Sequence, residues 1–152
     1  MADTTAAPET FILFSVAGTT YALRSADVQH MEMVEHVTRV PNAAPFVDGV
    51  VFSRGLVVPA VNLRARFGFE RAPYDIRTRL IVVQSAGRHI GLVADDGREF
   101  LRVPAGSIQP PQETLSGLSG RYIEGIVSVN DRLILVLNLQ ALLNVSEPLV
   151  AA

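Results

Sequence analysis

The amino-acid sequence predicts an all-β protein in which two small barrels pack side by side. Three observations carry that expectation. Apolar residues fall in short runs rich in Val, Ile, Leu and Phe, bounded by breaks rather than spread at helical periodicity. The breaks hold Gly, Asn and Asp, which tolerate the backbone angles that a hairpin turn demands. A unit of 22 residues also occurs twice, 76 positions apart.

In chain order, Phe11–Val16 (FILFSV) reads as a first strand, turned at Ala17–Thr20 (AGTT). A turn around Ser25–Val28 leads into a strand at Val28–Met33 (VQHMEM). Val50–Pro59 (VVFSRGLVVP) holds two strands joined at Ser53, Arg54 and Gly55. Asn62–Phe67 (NLRARF) follows as a short helix, with Asn62 as its cap and Gly68 as its stop. Leu80–Ser85 and His89–Ala94 are strands around the turn Ser85–Arg88 (SAGR), and a further turn is expected at Ala94–Gly97 (ADDG). Arg132–Leu137 leaves the turn Val129–Arg132 (VNDR) as a strand and runs into a second helix, Asn138–Leu143, again opened by an Asn. Residues 1–9 and 146–152 are expected as frayed tails on one domain spanning 10–145 and made of two subdomains.

The repeat explains why two subdomains are expected. Phe46–Phe67 aligns without a gap onto Tyr122–Leu143, matching aromatic, β-branched, acidic, Gly and β-branched residues at the front and Asn-Leu-x-Ala at the back. One such strand, turn, strand and helix start cannot bury its own apolar faces, so each copy must complete a barrel with strands from elsewhere. The copies differ at their turns. Asn130 in the second copy is ordinary hairpin chemistry, whereas the first copy puts Arg54 there, a residue that turning the chain does not call for.

Composition narrows the function. At 152 residues, 49% of them hydrophobic and 18% charged, the chain can bury roughly 70% of its unfolded surface, and so apolar a composition means either a generous core or apolar surface meant for a partner. A net charge of −2 argues against nonspecific phosphate binding, and the absence of Cys removes thiolate catalysis and Cys-ligated metals. No signal peptide and no membrane-length apolar run is visible, so a cytoplasmic protein without membrane insertion is expected. His30, His36 and His89 lack any metal-site spacing, and neither Ser116, Ser119 nor Asp95-Asp96 sits in a hydrolase motif; no enzyme, metal or cofactor is expected. The Gly-rich Ser116–Gly120 (SGLSG) lacks the Lys of a phosphate loop and reads as a connecting loop. One stretch keeps a second function open: Arg64, Arg66 and Arg71 interleave with Phe67 and Phe69, a combination that can stack bases beside basic side chains in a nucleic-acid or small-ligand module.

From Phe11 to Leu143 the sequence resembles the chemotaxis coupling proteins, the CheW family. The resemblance is carried by "YAL" after the first hairpin, "VTRVPNAAPFVDGVV", "SRGLVVPAVNLRARFG", "GLVADD", "IQPPQE" and "YIEGI" followed by "RLILVLNLQALL". It implies two SH3-like five-stranded β-barrels, no enzymatic activity, and a monomeric adaptor. That adaptor would join the cytoplasmic tips of methyl-accepting chemoreceptors to the regulatory domain of a CheA-type histidine kinase in a membrane-associated array.

By position, the resemblance implies receptor contacts at Val28, His30, Gly49, Arg54, Phe100 and Gly125, and kinase contacts at Met31 and Val34. The chain also departs from the family pattern. The turn Asn-Leu-Arg-Gly is Phe52-Ser53-Arg54-Gly55, the Glu of V-x-E-I is His30, VDLR is Val61-Asn62-Leu63-Arg64, and Thr114 stands where an aromatic is common after IQPPQE. These departures imply a divergent member, serving an alternative pathway and with its place in array rings altered. With His30 in place of the acid, Arg54 is expected to lack an internal carboxylate and to seek one on the partner.

Overall fold

The structure, a computed structural model, describes residues 8–104, 106–111 and 119–143. The described residues form ten strands: β1 (Glu9–Val16), β2 (Thr19–Arg24), β3 (Val28–Met33), β4 (Val47–Ser53), β5 (Leu56–Asn62), β6 (Arg79–Ser85), β7 (Arg88–Ala94), β8 (Asp96–Val103), β9 (Ile123–Val129) and β10 (Arg132–Leu137). Two short helices, α1 (Leu63–Arg66) and α2 (Leu139–Leu143), follow β5 and β10, and a 3₁₀ turn spans Ser25–Asp27. Both helices start where the sequence put their caps: the Asn62 side chain accepts from the Ala65 N–H at 3.1 Å and Asn138 from the Ala141 N–H at 3.0 Å. Glu9, expected in a tail, opens β1 because it pairs with Val103. Residues 1–7 and 146–152, Thr114 and most of the Ser116–Gly120 loop lie outside the described residues.

The strands form two five-stranded sheets, β8-β1-β2-β10-β9 and β3-β6-β7-β5-β4. Stepping five strands along the chain, and passing from β10 back to β1, converts one order into the other. The repeat seen in the sequence is therefore one part of a two-fold pattern that covers every strand. Only the β3 barrel is continuous in sequence; the other joins β1 and β2 to β8, β9 and β10.

Each barrel closes by the same device. Beyond β3 the chain returns to the far edge of its sheet, where Thr38 and Val50 of β4 exchange backbone hydrogen bonds of 2.9 and 2.8 Å. Beyond β8, Gln109 and Ile126 of β9 do the same, also at 2.9 and 2.8 Å. Each bridge covers part of the sheet edge that β4 or β9 would otherwise present.

All four hairpins have two-residue turns with both residues at positive φ, the arrangement whose twist matches the flanking strands: Ala17-Gly18 (51° and 83°), Arg54-Gly55 (48° and 84°), Ala86-Gly87 (52° and 78°) and Asn130-Asp131 (50° and 64°). The turn expected at Ala94–Gly97 is not a fifth one. Asp95 alone separates β7 from β8, because the chain crosses there from one barrel to the other.

Three apolar clusters hold the fold. Phe11, Leu13, Ala22, Val103, Val127, Ile134 and Val136 fill one barrel, and Val51, Val58, Ala60, Leu80, Val82 and Val93 the other. The largest cluster lies between the barrels and draws on both, with Phe14 and Tyr21 from one meeting Ile81, Ile90 and Leu92 from the other. An aromatic ladder runs through it: Phe14 to Tyr21, Tyr21 to Phe67 and Phe67 to Tyr122, with ring centroids 6.2, 5.0 and 5.8 Å apart. The barrels share a core, so they form one folding unit rather than two linked ones.

Candidate docking surface

β3 carries most of the residues singled out in the sequence, and its geometry decides which way each faces. A bulge between Val28 and His30 pairs Val28 with Val83 but His30 with Val82, which breaks simple alternation. Val28 and Met31 are half-buried against the shared core, and the Met31 thioether lies over Gly97 at the start of β8. Val34 packs instead on the interior cluster of the β3 barrel. Two residues paired in one role by the resemblance thus serve two different cores, and the exposed apolar residue of the strand is Met33.

His30 and Glu32 turn toward the opposite edge of the sheet, where the β4–β5 hairpin begins. His30 Nε2 lies 2.7 Å from Glu32 Oε2 and 3.0 Å from Ser53 Oγ, and Ser53 donates to the same Glu32 oxygen. Burial works to raise the Glu32 pKa, but the Ser53 and His30 hydrogen bonds and the charges of His30 and Arg54 outweigh it and hold the carboxyl below its usual range. The charge of Arg54 is felt at Glu32 without, among the described residues, a hydrogen bond or close ion pair between the two. The acid absent at His30 stands two residues on, at Glu32, on the same face of the strand. Arg54 itself is exposed and, among the described residues, makes no hydrogen bond or close ion pair. The spacing His30-x-Glu32 in a strand was the signal for this cluster; its third member, Ser53, lies too far along the sequence to be read from it.

The hairpin also displays apolar surface that the sequence reading missed. Phe52 and Val57 are cross-strand partners pointing outward, 73% and 66% exposed, and Leu56 beside Arg54 is also exposed. On the other barrel Phe100 is 71% exposed on β8, and Leu133 stands at the position that the repeat makes equivalent to Val57. These side chains are the apolar surplus that composition implied.

Gly49 and Gly125 have a structural role first. A Cβ on Gly49, whose φ is 151°, would overlap the Thr38 carbonyl oxygen and stand 2.8 Å from Val37 Cγ1. One on Gly125 would overlap Ile108 Cγ2 and lie 3.2 Å from the Gln109 carbonyl oxygen. Both glycines let the closing segment of a barrel approach β4 or β9.

The Arg and Phe stretch is drawn largely into intramolecular contacts, with Phe69 left exposed. Arg64 Nε donates to Asp95 at 2.9 Å, and Asp95 also receives the Ala17 N–H of the first hairpin turn. Arg66 stacks on Phe46 and Tyr122, 4.4 and 4.9 Å from the ring centroids, while its Nε donates to the Leu142 carbonyl at the end of α2. Arg71 is tied to Asp48 and Pro45, and Phe67 is in the core. The three guanidiniums are spent on intramolecular links, and no group of metal-ligating side chains forms among the described residues.

Comparison with known proteins places this geometry. The sequence profile of the CheW-like domain matches residues 10–147. The chain is 29% identical to the chemotaxis protein CheW of Klebsiella aerogenes over 90% of this chain and 82% of that protein. It is 33% identical to the Helicobacter pylori CheW over 88% and 80%, and 30% identical to protein FrzA of Myxococcus xanthus over 90% and 86%. The crystal structure of the scaffolding protein TtCheW from Thermoanaerobacter tengcongensis superposes with a TM-score of 0.84 at 27% identity, covering 93% of this chain and 97% of that one. A profile match over most of the length and the same fold in a solved relative agree: the chain belongs to the CheW-like domain family.

Proposed function

We propose that this chain is a non-enzymatic adaptor that couples the helical tips of methyl-accepting chemoreceptors to the regulatory domain of a CheA-type histidine kinase, held at the cytoplasmic face of a receptor array without inserting into the membrane. The observation that carries the reading is exposed apolar surface on both barrels of a CheW-like domain: Phe52 and Val57 on one, Phe100 and Leu133 on the other. An adaptor needs two such surfaces, and a helical receptor tip or a barrel-shaped regulatory domain is held chiefly by a few apolar anchors. Among the described residues no helix is long and apolar enough to cross a membrane.

The kinase face is the β3 barrel, and Met33, Phe52 and Val57 are better placed there than Met31 and Val34, which pack inward. The receptor face takes in Phe100, Arg54 and the rim of Val28 that the shared core leaves open. The 30% identity to FrzA, a relative not named for chemotaxis, supports a pathway other than swimming. Co-sedimentation tests the reading. With receptor-bearing vesicles, a kinase and this chain, the chain should carry kinase into the pellet. Equal sedimentation of the kinase without the chain, together with salt-sensitive binding of the chain to RNA or DNA, would instead support the nucleic-acid module.

A further inference from the structure

Where α1 meets the β1–β2 hairpin, the seam between the barrels is closed around a carboxylate. Asp95 accepts the Ala17 N–H of the hairpin turn at 2.8 Å, Arg64 Nε at 2.9 Å and Arg64 Nη2 at 2.8 Å. A turn N–H and a guanidinium thus hold one acid between them. The two-fold pattern of the strands gives the molecule a second such seam, where α2 meets the β6–β7 hairpin. A cleft of about 570 Å³ lies there.

The second seam keeps the turn and a guanidinium but has no carboxylate. Residues 14–28 align without a gap onto 83–97, which sets Ala86 at Ala17 and Gly87 at Gly18. Ala17 and Ala86 share their backbone too, with φ of 51° and 52°. The residue matched to Asp95 is Ala26, and Asp27 beside it does not line the cleft. The 76-residue repeat sets Gln140 at Arg64, so α2 lacks the cation of α1. Arg88 supplies one from the other wall, standing on the hairpin where the first copy has Thr19.

The groups around the cleft are chiefly donors. Ser85, Ala86 and Arg88 form one wall and Asn138 and Gln140 the other, with buried Leu143 at the end of α2 beneath them. No lining residue is acidic. Ala86, Arg88 and Gln140 are exposed, and among the described residues the Ala86 N–H, the Arg88 guanidinium and the Gln140 amide make no hydrogen bond or ion pair. Asn138 Oδ1 is taken by the Ala141 N–H, which leaves Nδ2 to donate. A carboxylate suits such a site, since it only accepts and its two oxygens match the fork of an arginine.

We propose that the cleft between the β6–β7 hairpin and α2 is a carboxylate-binding site. Arg88 and the Ala86 N–H take an aspartate or glutamate side chain of a protein partner there, as Arg64 and the Ala17 N–H take Asp95. The site uses none of the residues assigned above to receptor or kinase. That a protein brings the acid rests on the adaptor reading; the site itself belongs to the chain alone.

The test has one arm for each half. In the first, NMR of the full chain follows the Ala86 amide and Arg88 Nε signals at constant ionic strength. A capped tripeptide with a central aspartate is added up to tens of millimolar, the range of a single charge-assisted contact. Both signals should shift saturably, and neither should answer the same tripeptide with asparagine. In Arg88→Gln the Ala86 response should fall roughly fivefold or more. Signals that stay still, that answer both peptides alike, or that shift in Arg88→Gln as in the wild type overturn the site. A response that appears only once Glu147→Gln is introduced gives the cleft to a carboxylate of this chain and overturns the partner.

In the second arm, calorimetry measures a receptor-tip fragment and a kinase regulatory domain against wild type and Arg88→Glu. Arg88 is exposed and unpaired among the described residues, so the melt should stay near wild type. The partner whose acid enters the cleft should bind roughly tenfold more weakly to Arg88→Glu. Wild-type affinity for both partners overturns the partner half. If neither partner binds the wild type, the adaptor reading fails, and the site still stands or falls on the NMR arm.

Discussion

Arg54 and Asn130 occupy the same turn position of the two repeats, and both hold left-handed backbone, with φ of 48° and 50°. Asn is at ease there, because its short polar side chain tolerates that conformation, whereas a longer side chain costs on the order of 1 kcal/mol. An exposed arginine without a close ion pair returns little of that cost. Arg54→Asn should therefore raise stability by about 0.5 to 1 kcal/mol in urea unfolding. In the adaptor reading it should also weaken receptor binding by roughly tenfold, about 1.4 kcal/mol. Stability gained while binding is lost would mark Arg54 as a residue kept for its partner. Loss of both would show that the side chain supports the fold.

The two closing glycines should respond unequally. A methyl on Gly49 meets a backbone carbonyl, that of Thr38, which cannot move without breaking the bridge to Val50; a methyl on Gly125 meets first the side chain of Ile108, which has rotamers to spare. Gly49→Ala should cost about 3 kcal/mol or more and Gly125→Ala about 1 to 2 kcal/mol, read as shifts in denaturation midpoint. Equal costs would mean that the Ile108 side chain gives way no more easily than the Thr38 carbonyl. Lost receptor binding in Gly49→Ala therefore reports on the fold and not on contact at that residue.

What the sequence made legible was local. Four hairpin turns and the Asn caps lie within a few residues of their partners and were found where they were read, the turn expected at Ala94–Gly97 excepted, and the repeat showed as a gapless match of residue types. The assignment of β1 and β2 to a barrel with β8, β9 and β10 was not legible, because sheet partners are chosen by burial across the whole chain. β8 itself, DGREFLRV, was overlooked: it is a strand whose exposed Phe100 and charged neighbours give no clean alternation. At the candidate site Met31 and Val34, placed by resemblance, pack on two different apolar clusters, and the contact of His30 with Glu32 and Ser53 depends on a fold that brings the β4–β5 hairpin to β3.

Acid should find the Asp95 clamp. Partial burial tends to raise the Asp95 pKa, but hydrogen bonds from Arg64 and from the Ala17 N–H, with the Arg64 charge, outweigh it and hold the folded-state value below the ordinary 3.8. A depressed carboxylate contributes stability that is fully present above its unfolded pKa and lost as the pH falls through the folded one. The contribution is on the order of 1 kcal/mol after solvent screening. Between about pH 6 and about pH 3, wild type should lose more stability than Asp95→Asn, measured by urea midpoints at each pH. Parallel losses in the two proteins would remove Asp95 from the acid response.

Arg66 joins the repeats through its planar head, lying over Phe46 and Tyr122 and donating to the Leu142 carbonyl. A lysine keeps the charge but not the flat, stacking fork. Arg66→Lys should cost about 1 kcal/mol of thermal stability, with partner binding unchanged. An unaltered melt would mean that charge alone is what α2 requires at its end.

Phe52 and Phe100 decide whether the two faces serve two partners. Each is among the most exposed large apolar side chains, 73% and 71%, one on each barrel, so truncating either should leave the melt near wild type. Val28 cannot give so clean an answer, since it packs on the shared core and Val28→Asp should lower stability as well as receptor binding. In the adaptor reading Phe52→Ala weakens the kinase regulatory domain and spares the receptor tip, while Phe100→Ala does the reverse, each by roughly tenfold, about 1.4 kcal/mol. Calorimetric titration of both variants with both partners gives four numbers, and only a crossed pattern fits two separate faces. If each variant weakens both partners alike, the apolar surplus forms one surface, receptor and kinase compete for it, and the chain cannot bridge them.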